Sequence, residues 1–261
     1  ATGKLHGRMD SDGMKLTGTT EGLLVGDAQL LETPEQSYLN AAGGGAVSWD
    51  DESAIDVTDV TVEGWVYQDQ WTSGTLSHLL AEKFDGTNGI RMGVGDPSGS
   101  KARLRVELYS NGSKRTISSS HRLAVAGKWN HIAYTVEGSK VALFLNGKRL
   151  LIKATGPNKA AVEPDSASFS LGSGWDGVDN VKMWAEGQVE SDIAAHRHFE
   201  EGSPLAHFQM NKLLTDGGLL NRGTGLNATL EGAVTLSELP TDFGENEWQL
   251  DLGENASAPV S

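Results

Sequence analysis

Short runs of alternating apolar and polar residues recur through most of the chain, and turns rich in Gly, Asn and Asp separate them. In the run 59–67 (DVTVEGWVY), valines alternate with Thr61, Glu63, Trp65 and Tyr67. A period of two residues is typical of β-strands whose two faces meet different surroundings. Turn signals recur at intervals of roughly ten residues, a spacing that favours a sandwich or barrel of many short strands.

The clearest pattern is the stretch 127–150, GKWNHIAYTVEGSKVALFLNGKRL. It predicts one strand led by Trp129, a tight turn at the Gly-Ser pair 138–139, a second strand, and another tight turn at the Asn-Gly pair 146–147. Trp129 and His131 share one face of the first strand, because two residues separate them. We assign Trp129 to packing within a sheet rather than to a ligand, and His131 to a structural role.

One helix is predicted, from Ser191 to Phe199. The sequence His-Arg-His at 196–198 lies within it and could hold a metal ion only if both imidazoles pointed the same way. Residues i and i+2 of a helix point apart, so a solvated helix face is the preferred interpretation.

The chain is divided into three parts by the strength of its strand pattern. Residues 1–33 are predicted as an N-terminal arm, residues 34–240 as the sandwich, and residues 241–261 as a polar tail. Strand-like segments at 205–236 are predicted to complete the same sandwich, because too few residues follow to build a second core. The alternative, a partial second copy of the domain, stays open at this point.

Composition narrows the class of protein. The chain has 261 residues, 35 Asp and Glu against 21 Lys and Arg, and a formal net charge of −14. Nucleic acid and anionic membrane surfaces would be repelled by such a chain and are not expected as partners. There is no cysteine, so disulfides and thiolate chemistry are excluded. No membrane-spanning run and no signal peptide are visible.

Three segments together resemble a known family. They are VTVEGWVY (60–67), the Trp-x-His strand whose partner ends in Asn-Gly, and GVDNVKMW (177–184). They are similar to segments of the laminin G-like, or pentraxin-like, domains of the concanavalin A-like lectin/glucanase superfamily, over roughly residues 37–199. The resemblance implies an all-β fold, a two-sheet antiparallel jelly-roll sandwich with one short helix. The segment 205–234 resembles strands that open other members, which suggests a permuted order.

Catalysis is not expected. The glucanase branch of the superfamily carries Glu-x-Asp-x-(x)-Glu on one strand, since retaining hydrolysis needs two carboxyl groups about 5 Å apart. The nearest arrangement here, Glu245, Glu247 and Asp251, has the wrong interval and lies in the predicted tail. A serine-hydrolase Gly-x-Ser-x-Gly is also missing. The sequence therefore predicts a protein that is not an enzyme.

Sugar recognition needs exposed aromatic faces beside hydrogen-bonding groups. Trp71, Tyr109 and Trp175 lie beside predicted loops and are the candidate ligand-binding residues. Each could instead be a partial lid on the core. Trp65 and Trp184, in the middle of strands, are assigned to the core.

Calcium is the expected cofactor. Acidic loops such as Trp175–Asn180 offer carboxylate and carbonyl oxygens, the ligands that calcium prefers. The family resemblance implies one Ca²⁺, with Asp179 as its first ligand and Asp176 as its second. Asp85 and Asp50 lie in comparable loops and are weaker candidates. The alternative for Asp179 is a hydrogen bond to the turn that begins its strand.

The preferred interpretation is a non-enzymatic, lectin-like module that binds a glycan or another cell-surface ligand on an extracellular or virion surface assembly. The alternative is a purely structural subunit, such as a phage capsid decoration or tail protein, and a hydrolase or lyase ranks third. In either of the first two cases, the N-terminal arm and the C-terminal tail are expected to contact neighbouring subunits.

Overall fold

The computed structural model describes residues 4–10, 13–17, 29–30, 37–42, 45–49, 56–164, 167–196, 203–209, 214, 218–238 and 247–251. In chain order the strands are β1 (Lys4–Asp10), β2 (Gly13–Thr17), β3 (Gln29–Leu30), β4 (Ser37–Asn40), β5 (Ala46–Trp49), β6 (Asp59–Tyr67), β7 (His78–Phe84), β8 (Gly89–Ser98), β9 (Lys101–Ser110), β10 (Ser113–Ser119), β11 (Ala124–Val125), β12 (Trp129–Glu137), β13 (Lys140–Leu145), β14 (Lys148–Arg149), β15 (Ile152–Thr155), β16 (Phe169–Ser173), β17 (Gly177–Trp184), β18 (Ala206–Phe208), β19 (Thr229–Glu231), β20 (Thr235–Glu238) and β21 (Glu247–Asp251). The helix within these residues, α1, spans Glu190–His196.

Two antiparallel sheets face each other in residues 37–237 and form the sandwich. The front sheet has the order β14-β13-β12-β6-β17-β4-β20, with β18 also paired to β17. The back sheet has the order β15-β10-β9-β8-β7-β16-β5-β19, with β11 also paired to β9. The predicted all-β, two-sheet antiparallel jelly-roll sandwich with one short helix is confirmed.

The main core lies between the sheets, where each central strand contributes every second residue. The inward residues of the two sheets include Val60, Val62, Val66, Ile132, Tyr134 and Val136 in front and Leu80, Ile90, Met92, Val94, Leu104, Val106 and Leu108 behind. Tyr134 is fully buried, and its hydroxyl donates to the carbonyl oxygen of Gly93 on the other sheet at 2.6 Å. The phenol therefore crosses the core without leaving a polar atom unpaired.

The outer face of the front sheet carries the other half of the alternation, as the sequence predicts. The aligned pairs of β6 and β12 on this face are Thr61 with Thr135, Glu63 with Ala133, Trp65 with His131, and Tyr67 with Trp129. α1 packs on part of it, where Ile193 meets Ala133 and Phe144. Trp65 and Trp184 are buried as predicted, but on this outer face rather than in the main core, because they alternate with the inward residues of their strands.

The predicted Asn-Gly turn closes the hairpin of β13 and β14. Asn146 and Gly147 both have positive φ, 50° and 76°, as a two-residue hairpin turn requires. A side chain at position 147 would also meet α1, since a Cβ atom there would lie 3.1 Å from the Cα of Ala194. The glycine thus shapes the turn and lets the helix pack on it.

The predicted helix Ser191–Phe199 corresponds to α1, and residues 197–199 lie outside the described part of the chain. The segment 205–236 contributes strands to both sheets. β18 pairs with β17, with Ala206 opposite Met183, while β19 extends the back sheet beyond β5 and β20 extends the front sheet beyond β4.

The described strands near the two ends of the chain form a separate small sheet of order β2-β1-β21-β3. β1 pairs with β21 in antiparallel fashion, with Lys4 opposite Asp251 and Arg8 opposite Glu247. Segments that the sequence assigns to an arm and a tail therefore pair with each other in this sheet.

Candidate functional site

Hydrogen bonds connect four chain segments at one end of the sandwich. We call these segments the rim, and they are residues 67–72, the turn at Ser100, residues 126–129 and residues 175–177. The backbone N of Gly127 donates to the carbonyl of Gln68 at 2.8 Å. The carbonyl of Ser100 accepts from the indole N of Trp71 at 3.0 Å and from the backbone N of Ala126 at 2.8 Å. These bonds hold the loop that follows β6 against the loop that precedes β12.

Asp176 connects the fourth rim segment, residues 175–177, to the first, residues 67–72. Its Oδ2 accepts from Gln68 Nε2 and from the backbone N of Asp69, both at 2.8 Å. The backbone N of Asp176 donates in return to Gln68 Oε1 at 3.3 Å. The carboxylate of Asp176 thus positions the loop that leads to Trp71.

Tyr67 and Trp129 form an aromatic pair on the rim. They lie directly opposite each other on β6 and β12, with ring centroids 5.6 Å apart, and both are half-buried. On the other side of Tyr67, the aligned residue of β17 is Gly177, which has no side chain. The pair therefore offers partly open ring surface beside the polar groups of the loop, the combination that sugar rings favour.

Trp71, a predicted ligand residue, adds a third half-buried aromatic side chain to the rim. Its ring packs edge-on against Trp175 at 6.0 Å and lies 5.5 Å from the ring of His78. Burial lowers the pKa of His78, so its imidazole is neutral at pH 7. The Nδ1–H group donates to the carbonyl of Gly174 at 2.6 Å, and Nε2 is left to accept from the Thr72 hydroxyl at 3.1 Å.

The side chain of Trp175, the second predicted ligand residue, lies beneath the other rim residues. It is fully buried, and its indole N donates to the carbonyl of Leu79 at 3.0 Å. A fully buried ring has no face on which a sugar could stack, so in this structure Trp175 supports Trp71 instead of contacting a ligand.

Tyr109, the third predicted ligand residue, is remote from the rim. It is half-buried on the outer face of the back sheet, with its ring 4.2 Å from that of Phe84 at the far end of β7. The other end of β7 is His78, which contacts Trp71; the six-residue interval on an extended strand corresponds to about 20 Å. Burial and the hydrogen bond to Glu107 raise the pKa of Tyr109 to about 12. The structure thus does not bring Tyr109 and Trp71 into one site.

The two aspartates predicted to bind calcium have other partners. Asp179 is only 1% exposed, and its Oδ1 accepts from the backbone N of Asn180, the next residue of β17, at 2.7 Å. Asp176 is held by two protein donors, as described above. Within the described residues, no group of three or more His, Asp or Glu side chains is arranged to hold a metal ion. These contacts do not fit a preformed calcium site, and calcium binding stays a prediction. Asp50 lies outside the described residues.

A buried polar cluster lies under α1 on the outer face of the front sheet, and the sequence does not predict it. Glu63 is 1% exposed, and neither of its carboxylate oxygens has a hydrogen-bond partner in the described part of the chain. His131 Nε2 lies 3.8 Å from Oε2, and His196 Nδ1 lies 3.6 Å from Oε1. Lys182 Nζ donates to the carbonyl of His196 at 2.7 Å. Burial raises the pKa of Glu63 to about 8, against the opposing charge of Lys182.

The solvated helix face predicted for His196 is wrong. The side chain is 7% exposed and stacks on Trp184, with ring centroids 4.5 Å apart and an interplanar angle of 12°. Its position at the end of α1 turns it towards the sheet, where the indole covers it. The other histidine of the pattern, His198, lies outside the described residues.

Family comparison agrees with this architecture. The family profile described as the concanavalin A-like lectin/glucanases superfamily, a laminin G group, matches residues 41–189, more than half of the chain. The chain belongs to this superfamily. The matched range includes β5 to β17 and every segment of the rim. No curated protein sequence matches the chain. No helix in the described ranges is long and apolar enough to cross a membrane.

Two solved structures support the fold. A proposed carbohydrate-binding protein from Bacteroides ovatus is 14% identical with a TM-score of 0.55, and the match covers 79% of this chain and 61% of that one. A heptameric SAP-like pentraxin from Limulus polyphemus is 12% identical with a TM-score of 0.51, and the match covers 78% of this chain and 95% of that one. The superfamily resemblance stated from the sequence is confirmed.

The sequence assigns Trp129 to packing within a sheet and does not predict that Tyr67 lies opposite it. Each was visible as an aromatic residue on the outer face of its strand, at the end where β6 stops and β12 starts. Their alignment depends on the register between two strands that are about sixty residues apart in the chain, and no local pattern reports that register.

Proposed function

We propose that this protein is a non-enzymatic glycan-binding module and that the rim holds the ligand. The observation that carries the proposal is the grouping of three half-buried aromatic side chains, Tyr67, Trp71 and Trp129, around one loop that hydrogen bonds hold in place. Aromatic rings accept the C–H faces of sugars, and a loop that is already ordered loses little entropy on binding. Membership of the superfamily and the proposed role of the Bacteroides ovatus protein of the same fold support it.

Polar groups of the rim can serve the sugar hydroxyls. Asp69 and Gln70 are exposed beside Trp71. Asp176 uses Oδ2 for its two protein donors, which leaves Oδ1 to accept from a ligand. A few polar groups beside aromatic faces are what orient a sugar in a binding site.

The same proposal includes display of the module on an extracellular or virion surface. It also includes contacts with neighbouring subunits through the two end segments of the chain. The competing function is a purely structural subunit, for which the rim aromatics would be covered by protein. Binding of a free glycan to the purified chain separates the two.

Glycan binding should depend on the rim and not on the outer face of the back sheet. A glycan array, followed by calorimetric titration of the glycan bound best, should show that Trp129→Ala and Trp71→Ala each weaken binding roughly ten-fold. Tyr109→Ala is the matched control, because it removes a half-buried aromatic residue about 20 Å away and should leave affinity unchanged. Absence of glycan binding by the unaltered chain would contradict the proposal. So would a loss of binding confined to Tyr109→Ala.

The family resemblance implies one bound Ca²⁺, and an ion that binds the folded chain raises its melting temperature. The measurement is thermal unfolding of the full chain with calcium chloride and with a chelator. Asp179→Asn should remove the calcium-dependent rise, because it removes a charged oxygen ligand while it keeps the side-chain volume. An equal melting temperature with and without calcium would remove the ion from the proposed function.

A further inference from the structure

Charge is distributed very unevenly along this acidic chain. Residues 108–162 contain nine Lys and Arg residues and a single acidic residue, Glu137, a formal charge of +8. Since the whole chain carries −14, the remaining residues carry −22. A separation of this size creates two surfaces of opposite potential if the fold keeps the basic residues together.

The topology does keep them together. Residues 108–162 include β10 to β15, and the outermost strands of the two sheets on one side of the sandwich are β14 and β15. Arg115 joins these sheets through a hydrogen bond to the carbonyl of Ser139. We call β14, β15 and the residues between and after them, up to Lys159, the basic edge.

The cations of the basic edge are exposed and form no ion pair within the described residues. They are Lys148, Arg149, Lys153 and Lys159. The carboxylate of Glu190 accepts from the backbone N of Arg149 at 3.1 Å instead of from its guanidinium. Elsewhere in the sandwich, basic residues such as Arg91, Arg103 and Arg122 are paired with acidic side chains.

The basic edge also exposes apolar surface and backbone. Leu151 is 77% exposed and Ile152 is 41% exposed. All four residues of β15 are exposed, and in the described part of the chain this strand pairs with β10 alone. An edge strand with free backbone groups and neighbouring apolar side chains is a surface on which another polypeptide can pair.

The opposite edge of the back sheet offers the complementary features. It ends in β19, where Glu231 is exposed. Leu226 is 64% exposed and lies next to this edge, since its carbonyl accepts from the indole N of Trp49 on β5 at 2.9 Å. Leu220 is 48% exposed. It follows Leu219, which forms a β-bridge with Ala228, the residue just before β19. Apolar side chains thus stand beside an acidic one here and beside basic ones at the basic edge.

We propose that the basic edge of one copy of this chain binds the β19 edge of a second copy. Such a contact joins two different surfaces head to tail, so one copy keeps its β19 edge and the other its basic edge for further neighbours. Opposite charges would bring the edges together, and burial of Leu151 and Ile152 against Leu220 and Leu226 would hold them. Neither edge contains a rim residue, so this inference does not depend on the proposed glycan binding.

Sedimentation velocity of the full chain at about 50 mM and about 500 mM salt tests the electrostatic part, because salt screens exposed charges. Self-association should be present at low salt and should weaken at high salt. Lys148→Glu with Lys153→Glu should weaken it roughly ten-fold at low salt. The matched control is Lys101→Glu with Lys128→Glu, which changes the net charge equally at two exposed lysines away from the basic edge and should associate like the unaltered chain. Circular dichroism confirms that each variant is folded.

A mixing experiment tests the pairing of the two edges. Glu231→Lys alone should associate less than the unaltered chain, since its two edges are then both positive. Mixed in equal amounts with the Lys148→Glu/Lys153→Glu variant, it should recover association, because its unaltered basic edge then meets the unaltered β19 edge of the other variant. Recovery in the mixture is not expected if the substitutions only damage folding.

A chain that stays monomeric at low salt overturns the proposal. So does equal association of the basic-edge variant and its matched control, which would assign the contact to another surface. Dextran sulfate serves as a polyanion probe. If the chain stays monomeric and dextran sulfate binds tightly at the basic edge, the partner of this edge is an anionic polymer and not a second copy of the chain.

Discussion

Raising the pH from 6.5 to 8 should destabilise the folded chain, and Glu63→Gln should remove most of this loss. The pKa of Glu63 is raised by burial from 4.5 to about 8 in the folded state. Between these values the folded chain keeps a proton that the unfolded chain has released, so each rise in pH favours unfolding. The stabilisation is complete below pH 4.5 and is lost as the pH rises through 8. The expected loss is on the order of 2 kcal/mol, at 1.36 kcal/mol per pH unit.

Urea denaturation of the full chain at pH 6.5, 7 and 8 would measure this loss. The charged and titratable groups that face Glu63 are His131 of β12, Lys182 of β17, His196 of α1 and, beside Lys182, His207 of β18. Burial lowers the pKa of His207 to about 4, so that below pH 6.5 its protonation favours the unfolded chain and opposes the effect of Glu63. The range above pH 6.5 therefore isolates Glu63 from His207.

Glu137→Gln is the matched control for Glu63→Gln. Glu137 ends β12 on the same sheet and is exposed, so the substitution removes a carboxylate without changing a buried group. It should keep the pH dependence of the unaltered chain. Equal pH dependence in Glu63→Gln and the unaltered chain would assign the effect to other groups.

Trp175→Ala should have the largest effect on stability of any substitution at the rim. The side chain is fully buried and packs against Trp71 and His78. Replacement by Ala leaves a large cavity and is expected to lower the free energy of unfolding by about 3–5 kcal/mol. It also leaves the carbonyl of Leu79 without its indole donor. Urea denaturation at pH 6.5 would measure the change.

Trp71→Ala provides the comparison, because Trp71 is half-buried and its removal opens less of the core. Trp71→Ala should lower the free energy of unfolding clearly less than Trp175→Ala does, and it should weaken glycan binding. Trp175→Phe, which keeps a ring beneath the rim, should lie between them in stability and retain binding. A stability loss from Trp175→Ala no larger than that from Trp71→Ala would contradict the assignment of Trp175 to the core.

Local patterns predicted the strands and their turns, whereas the two-sheet jelly roll was implied by the family resemblance. The Asn-Gly pair at 146–147 needs positive φ at both residues, and the strict alternation of β6 and β12 commits each side chain to one face. Both features act within a few residues and are visible in the sequence. The exposure of a side chain cannot be predicted in this way, because it depends on which other parts of the chain cover that side chain. Trp71 and Trp175 lie four residues or fewer from strand ends, yet only the structure distinguishes the half-buried one from the fully buried one.

The polar cluster around Glu63 shows the same limit. On β6, Glu63 occupies a position that alternation assigns to the outer face, where a carboxylate is ordinarily solvated. It is buried because α1, more than a hundred residues later, brings His196 over it. No local pattern between residue 63 and residue 190 indicates that contact. The basic edge is also not visible in local patterns, because it depends on the order of the strands in the two sheets.

The pairing of β1 with β21 has a consequence for the order in which the protein folds. Lys4 is aligned with Asp251, so this part of the small sheet cannot begin to form until residue 251 has been synthesised. The hairpin of β12 and β13, in contrast, closes over a two-residue turn and can form within microseconds. Closing a very long loop is entropically costly, and prior folding of the intervening residues reduces that cost. The small sheet is therefore expected to form after the sandwich.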